Sequence, residues 1–156
     1  MTKSIVFIDS EVGIEDKKIH DLGAVRSDHA TFHSASIRDF CVFISGAEYI
    51  CGHNIIHHDM KFIMPYFRGN TAFKSIDTLY VSPLLFPKRS YHALLKDDKL
   101  QSDELNNPLN DAKKAEKLFY DEINAFYALS SQRKQIYCCL LYQFEEFQGF
   151  LDYVNL

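Results

Sequence analysis

Four acidic residues, from three separate parts of the chain, are the candidates for chemistry. Asp9 and Glu11 follow a short apolar run, and Asp59 follows a Gly-His-Asn turn signal. Asp111 lies near the start of a long amphipathic segment. Alternate residues of a strand point to the same face, so Asp9 and Glu11 would project side by side. Two carboxylates held together repel each other unless a cation binds them.

Carboxylate oxygens without Cys or His ligands favour hard cations, so the four acids predict a site for two Mg²⁺ or Mn²⁺ ions. Two such ions about 4 Å apart can clamp a phosphodiester, one generating hydroxide and the other stabilising the departing oxygen. Each acid also has a simpler explanation. Asp9 and Glu11 could end a solvated strand, and Asp59 suits a helix start, where the macrodipole favours an acid.

The start of a long amphipathic helix positions the fourth acid. Asn107 is predicted as the N-cap and Pro108 as the first helical residue, which places Asp111 one turn into the helix. An apolar stripe runs along this helix through Ala112, Ala115, Phe119, Ile123 and Phe126. Asp111 lies beside that stripe, where a carboxylate needs a partner or a metal.

The remaining elements follow from apolar periodicity and turn signals. Short β-rich runs predict strands at residues 4–8, 19–26, 30–36, 49–51 and 75–77. Helical spacing predicts helices at residues 37–45, 56–67, 78–86, 108–129 and 132–154. The first three strands would form an antiparallel meander, and the later crossover implies parallel pairing. The pattern therefore predicts an α/β domain with a mixed five-stranded sheet.

Composition limits the class of protein. A chain of 156 residues suits one domain, residues 1–156, with a helical extension from about residue 130. No apolar run approaches the roughly 18 residues of a membrane span, and no cationic leader precedes the first strand, so we expect a cytoplasmic protein without membrane contact. The four cysteines lack CxxC spacing, which favours reduced, mostly buried thiols.

The net charge of −4 is unusual for a nucleic-acid-binding protein, which normally carries a surplus of Lys and Arg. Two divalent cations would add about +4 at the site and reverse the local field. The basic residues are concentrated in the second half of the chain, at Lys88-Arg89, Lys96, Lys113-Lys114, Lys117 and Arg133-Lys134. For most of them, a solvated helix face is the simpler interpretation.

Four short motifs occur in a distinctive order, at residues 8–11 (Ile-Asp-Ser-Glu), 52–59 (Gly-His-Asn to Asp), 76–79 (Ile-Asp-Thr-Leu) and 110–112 (Asn-Asp-Ala). In these motifs the chain, from about residue 4 to 127, resembles the DEDD (DnaQ-like) 3′→5′ exonuclease superfamily. The resemblance implies a ribonuclease H-like fold with helices on both faces of the sheet. It also implies that Asp9, Glu11, Asp59 and Asp111 are the catalytic residues and hold two Mg²⁺ or Mn²⁺ ions.

The resemblance implies a single-stranded 3′ end of DNA or RNA as substrate. It further implies that backbone groups of Ser10 and Val12 contact the terminal nucleotide. His53 and Asn54 either contact the substrate or order their own turn by hydrogen bonds. Asp77 could approach the acids, although capping the next helix explains it equally well. The polar loop before the last motif resembles exonuclease domains attached to helicases, which implies a helicase or polymerase partner, fused or in trans.

One departure from the superfamily affects the expected rate. Members carry either a His five residues before the last Asp or a Tyr four residues before it, and this chain has Asn106 and Asn107 there. An amide cannot accept a proton at neutral pH, and a general base is worth about 10² to 10⁴ in rate. We therefore expect slow hydrolysis, unless His92, His58 or His57 serves as the base.

Two alternatives stay open from the sequence. A chain that has lost its base could be a non-enzymatic module that binds nucleic acid or docks onto a polymerase or helicase. A phosphatase with Asp9 as covalent nucleophile would instead carry an Asp where Glu11 stands, and the other motifs would be coincidence.

Overall fold

The computed structural model describes residues 3–67, 72–94 and 107–154. Asn106, the position expected to correspond to the general base, lies outside the described residues, as does Lys96. The described part of the chain forms a five-stranded sheet and six α-helices, which confirms the predicted α/β class with a mixed sheet.

The sheet has the strand order β3-β2-β1-β4-β5. Its strands are β1 (Ile5–Val12), β2 (Ile19–Arg26), β3 (Thr31–Ser34), β4 (Tyr49–Gly52) and β5 (Lys74–Asp77). β1 pairs antiparallel with β2, and β2 pairs antiparallel with β3. β4 is parallel to β1, and β5 is parallel to β4. β1 is therefore the central strand, with the meander on one side and the crossover strands on the other.

The first strand continues through the acidic residues, which corrects the expectation that it ends at Ile8. Asp9 lies opposite Gly23 of β2, and Glu11 lies opposite Asp21. The strand continues because β2 offers paired backbone groups along this whole stretch. The pairing register shifts only between Glu11 and Val12.

The α-helices are α1 (Ile37–Ile44), α2 (Met60–Ile63), α3 (Thr78–Leu85), α4 (Pro108–Tyr127), α5 (Ser131–Leu141) and α6 (Glu145–Val154). The single helix expected at residues 132–154 is wrong, because α5 ends at Leu141 and α6 begins at Glu145. The predicted third strand is also too long, since Ser36 is the N-cap of α1, and its hydroxyl accepts a hydrogen bond from the Asp39 backbone N–H.

The helix expected at residues 56–67 has three different parts. A π-helical turn (Ile55–Asp59) precedes α2, and a 3₁₀ turn (Met64–Tyr66) follows it. In the π-helical turn the Met60 N–H reaches the carbonyl oxygen of Ile55, five residues back, so this turn contains one residue more than an α-helical turn. That extra residue changes which side chain faces the sheet.

Helices cover both faces of the sheet, since successive apolar side chains of β1 point to opposite faces and both sets are buried. Ile5 and Phe7 pack into a core with α4 and α6, where the Phe7 and Phe119 ring centroids are 5.4 Å apart. Val6 and Ile8 pack on the other face, with α1 and α2. Following the same alternation, Asp9 and Glu11 face the α4 side of β1.

α4 begins as the sequence predicts. The Asn107 side-chain oxygen accepts hydrogen bonds from the Leu109 and Asn110 backbone N–H groups, at 3.0 and 3.4 Å, and Pro108 is in the first turn. The apolar stripe is buried at Ala112, Ala115, Phe119, Ile123 and Phe126. In the described part of the chain, every helix is too short or too polar to cross a membrane.

Candidate metal centre

Three of the four predicted acids meet where β1 passes the start of α4. Asp9, Glu11 and Asp111 can each offer a carboxylate oxygen so that these oxygens lie within 4.8 Å of one another. All three side chains are half-buried. Asp111 also has a cationic neighbour, because the Lys114 ammonium nitrogen lies 3.5 Å from its Oδ1. We call Asp9, Glu11 and Asp111 the acidic trio.

A close contact between backbones brings the trio together. A Cβ atom at Gly23 would lie 2.1 Å from the Leu109 nitrogen and 2.5 Å from its Cα, so only glycine leaves room for α4 at this position. Gly23 is the residue opposite Asp9 in the sheet. The first turn of α4 therefore rests beside Asp9, and Asp111, one turn further on, reaches the same place.

Asp59 approaches from the other side of β1. Its Oδ1 accepts hydrogen bonds from the Ser10 backbone N–H at 2.9 Å and from the Ser10 hydroxyl at 2.5 Å. Both side chains are buried. Asp59 is close enough for its charge to raise the pKa of Asp9. The structure thus groups three acids tightly and places the fourth beside them, held by Ser10.

Asp77 determines where the segment that carries Asp59 begins. Its carboxylate accepts hydrogen bonds from the backbone N–H groups of Asn54 at 2.7 Å and Ile56 at 3.0 Å, and from Leu79 at 3.0 Å. Asn54 adopts a left-handed backbone, with φ of 64°. Asp77 is thus the N-cap of α3, as one interpretation of the sequence expected, and it also anchors the turn before the π-helical segment.

The protonation of Asp9 indicates which kind of ligand the trio favours. Burial, together with the negative charges of Asp59, Asp111 and Glu11, raises the pKa of Asp9 to about 9. Without a cation, Asp9 therefore keeps its proton at neutral pH. A divalent cation would compensate the negative charges and displace that proton. The oxygen donors and their spacing fit a hard cation such as Mg²⁺ or Mn²⁺.

The residues expected to contact substrate differ in how exposed they are and in which of their groups are already hydrogen-bonded. The backbone N–H of Ser10 is engaged by Asp59, and Val12 is half-buried opposite Ile19. The Asn54 side chain is exposed, while its backbone N–H is held by Asp77.

The half-buried His53 has Nδ1 2.8 Å from the Thr78 hydroxyl oxygen. Burial lowers the pKa of its imidazole to about 4, although the charge of Asp111 opposes that shift. His53 is therefore neutral at pH 7.

The candidate bases lie outside the trio. His58 Nδ1 is 3.4 Å from Oδ2 of Asp59, and His57 Nε2 is 3.1 Å from Oε1 of Glu146. His92 Nδ1 is 2.8 Å from the Ser82 hydroxyl oxygen. Among the described residues, no histidine joins Asp9, Glu11 and Asp111 in one group of metal-ligating atoms.

Sequence reasoning missed two positions besides Gly23. Glu122 is fully buried on α4, and burial together with the charge of Asp77 raises its pKa to about 9. Its place three residues after Phe119 and four before Phe126, on the apolar stripe, is a signal that could have found it. The other is a surface group of the exposed His57 and Glu145 with the half-buried Glu146, whose ligating atoms also lie within 4.8 Å of one another.

All four cysteines are free, as expected, although the expectation of mostly buried thiols is wrong. Cys51 is buried, Cys41 and Cys138 are half-buried, and Cys139 is exposed.

No family model, curated protein or solved structure matches this chain. The resemblance to the exonuclease superfamily therefore rests on the four short motifs and their order.

Proposed function

We propose that this chain is a metal-dependent 3′→5′ exonuclease with a ribonuclease H-like fold, which hydrolyses the terminal phosphodiester bond of DNA or RNA. The observation that carries the proposal is that Asp111, a hundred residues after Glu11 in sequence, can offer a carboxylate oxygen within 4.8 Å of oxygens of Asp9 and Glu11. The architecture supports it, because a mixed five-stranded sheet with helices on both faces is what the resemblance implies.

The chain's own residues prepare the site. The Asn107 cap and the glycine at position 23 hold α4 so that Asp111 reaches Asp9, and Ser10 orients Asp59 through two hydrogen bonds. Two bound divalent cations would supply an activated water and neutralise the departing oxygen. The trio would hold them, with Asp59 as the fourth carboxylate.

The expected slow rate follows from the residues before Asp111. The side-chain oxygen of Asn107 accepts the first backbone N–H groups of α4, so this residue serves as a helix cap. An amide at this position cannot take a proton from the attacking water, and the loss of a general base costs about 10² to 10⁴ in rate. Hydrolysis would then depend mainly on the metal ions.

The test is product release from end-labelled single-stranded DNA and RNA in the presence of Mn²⁺. We expect mononucleotides from the 3′ end, and we expect Asp9→Asn and Asp111→Asn to lower the rate by at least about 100-fold, since even the partners of metal ligands are worth 10- to 100-fold. Asp39→Asn, which removes an exposed acid on α1, is the matched control and should keep the wild-type rate. Absence of product from both polymers at any Mn²⁺ concentration would refute the proposal.

A second candidate is an exonuclease-like module that binds nucleic acid, or docks onto a polymerase or helicase, without hydrolysing it. The role of Asn107 as a helix cap favours this candidate, because it leaves no base at that position. Calorimetric titration with Mn²⁺ separates the two, since an active site must bind the metal through Asp9 and Asp111. The variant Asn106→His should accelerate hydrolysis in an active enzyme and should have no effect in an inactive module.

A further inference from the structure

A basic cleft of about 450 Å³ lies between α4 and the chain that follows α3. Three cationic side chains line it, Arg89, Lys114 and Lys117, and the acid among its lining residues is Asp121. The local charge is therefore opposite in sign to the net charge of −4 of the whole chain. The remaining lining residues include an exposed aromatic side chain, Tyr91.

The cleft adjoins the acidic trio through Lys114, which lines the cleft and contacts Asp111. Asp111 and Lys114 are three residues apart on α4, as are Lys114 and Lys117, so the members of each pair are neighbours on the helix surface. The Lys114 ammonium nitrogen is 3.5 Å from the Asp111 carboxylate, which joins the cleft directly to the trio. A nucleic-acid strand whose terminal phosphate lies at the trio would thus pass Lys114 and then Lys117.

The opposite wall combines a cation with a flat apolar surface. The Arg89 guanidinium lies 3.9 Å from the centroid of the Phe86 ring, a cation–π contact that restrains its position. The Tyr91 side chain is 86 % exposed. The next residue, His92, has its ring Nδ1 within hydrogen-bond distance of the Ser82 hydroxyl, which fixes the chain beside Tyr91. An exposed tyrosine beside cations is a platform on which a nucleobase can stack.

We propose that this cleft binds the sugar-phosphate backbone of single-stranded nucleic acid, next to the terminal nucleotide. Phosphates contact Lys114, Lys117 and Arg89, and one base stacks on Tyr91. The combination of an aromatic platform with several cations fits a polynucleotide better than an acidic peptide, which has no base to stack. The position of the terminal nucleotide at the trio rests on the proposed function, whereas binding in the cleft can be measured without hydrolysis.

The test is to measure the binding of fluorescently labelled ten-nucleotide oligo-dT and oligo-U to the protein by fluorescence anisotropy. EDTA is present so that no hydrolysis occurs. We expect Lys117→Gln and Arg89→Gln each to weaken binding several-fold and to lower the slope of log affinity against log salt by about 0.7, the value for one phosphate contact on a single strand. Tyr91→Ala should weaken binding about fivefold or more with little change of slope, because stacking is not ionic.

Lys113→Gln is the matched control, since it removes the same charge from an exposed position on α4 outside the cleft. It should change the affinity less than twofold. The proposal is overturned if Lys113→Gln weakens binding as much as Lys117→Gln, if neither oligonucleotide binds, or if a poly-glutamate peptide displaces them at equal charge concentration. Binding of oligo-dT or of oligo-U supports the cleft and tells which sugar it accepts.

The failure of this proposal and that of the proposed function are distinguishable. If oligonucleotides bind through Lys117 and Arg89 but Mn²⁺ produces no mononucleotides, the cleft stands and the nuclease proposal fails. If Mn²⁺-dependent hydrolysis proceeds with the wild-type KM in both Lys117→Gln and Arg89→Gln, the nuclease proposal stands and the cleft is refuted.

Discussion

Two acids, the half-buried Asp9 and the fully buried Glu122, each have a pKa raised to about 9 but lie in different surroundings. Burial is the main cause for both. Asp9 lies with two further half-buried carboxylates that can offer oxygens to one ion. Glu122 is fully buried, and neither of its carboxylate oxygens has a hydrogen-bond partner within the described ranges.

The difference shows that a raised pKa marks the cost of burying an acid and does not by itself mark a site. At Asp9 a cation can remove that cost, because Glu11 and Asp111 can share it. The acid whose charge affects Glu122 most is Asp77, whose oxygens already accept three backbone hydrogen bonds. We therefore expect metal to affect Asp9 and to leave Glu122 unchanged.

Moving α4 away from β2 should have the largest effect on the metal site, and so on the difference between Asp9 and Glu122. In Gly23→Val the new side chain would meet the backbone of Leu109, so the helix start must shift. We expect the free energy of unfolding to fall by about 3 kcal/mol, at the upper end of typical overpacking costs, and Mn²⁺ binding to be lost. Urea unfolding and calorimetric titration measure the two quantities.

Gly46→Ala is the control for Gly23→Val. A Cβ atom at Gly46 has open space around it, although φ is +80°, so this variant should lose about 1 kcal/mol through backbone strain and keep its Mn²⁺ affinity. Normal Mn²⁺ binding by Gly23→Val would show that the trio does not depend on the position of α4.

The pH dependence of stability should separate the two acids through its response to Mn²⁺, which is a smaller effect on the metal site than the loss of binding in Gly23→Val. In EDTA, folded Asp9 and Glu122 keep protons that the unfolded chain releases above its ordinary carboxyl pKa. The free energy of unfolding should therefore fall as pH rises from 5 to 9, by up to about 1.4 kcal/mol per pH unit for each group. Saturating Mn²⁺ should remove the part due to Asp9. Identical slopes in EDTA and in Mn²⁺ would contradict a metal site at the trio.

The smallest effect on the metal site is expected from Glu122→Gln. At pH 4, near the ordinary carboxyl pKa, the neutral amide replaces a carboxylic acid that is neutral in the folded protein and largely neutral in the unfolded chain, so stability should change little. At pH 8 the variant should be more stable than the wild type, because it no longer competes with an unfolded chain that ionises Glu122. Hydrolysis and Mn²⁺ affinity should be unchanged. Loss of Mn²⁺ binding in this variant would show that Glu122 belongs to the metal centre.

The sequence predicted elements well where their signals are local. β2 has the predicted bounds, Ile19–Arg26, because its buried residues and flanking turns lie within one short segment. α4 begins at Pro108, as predicted, because the two signals for its start, the Asn107 cap and the proline in the first turn, are adjacent in sequence. The same local rules missed the break between α5 and α6, where residues of helical propensity continue through the turn.

The π-helical turn shows why the placement of Asp59 was not predictable from periodicity. Its backbone bonds run to the fifth residue, which a search for helical spacing does not anticipate. The turn before it is held by Asp77, a residue distant in sequence, through the N–H groups of Asn54 and Ile56. Asp59 consequently faces Ser10, while His57 and His58 stay exposed.

By itself, the sequence determined which acids are available, their order, and most of the strands and helices that carry them, because propensity, alternation and capping act between near neighbours. The tertiary structure decided which acids meet. Asp111 reaches Asp9 because Gly23 admits the backbone of α4, and Glu122, on the same helix, is sealed away from them. Distances between carboxylates depend on how closely two backbones approach, and that approach is set by residues far apart in the chain.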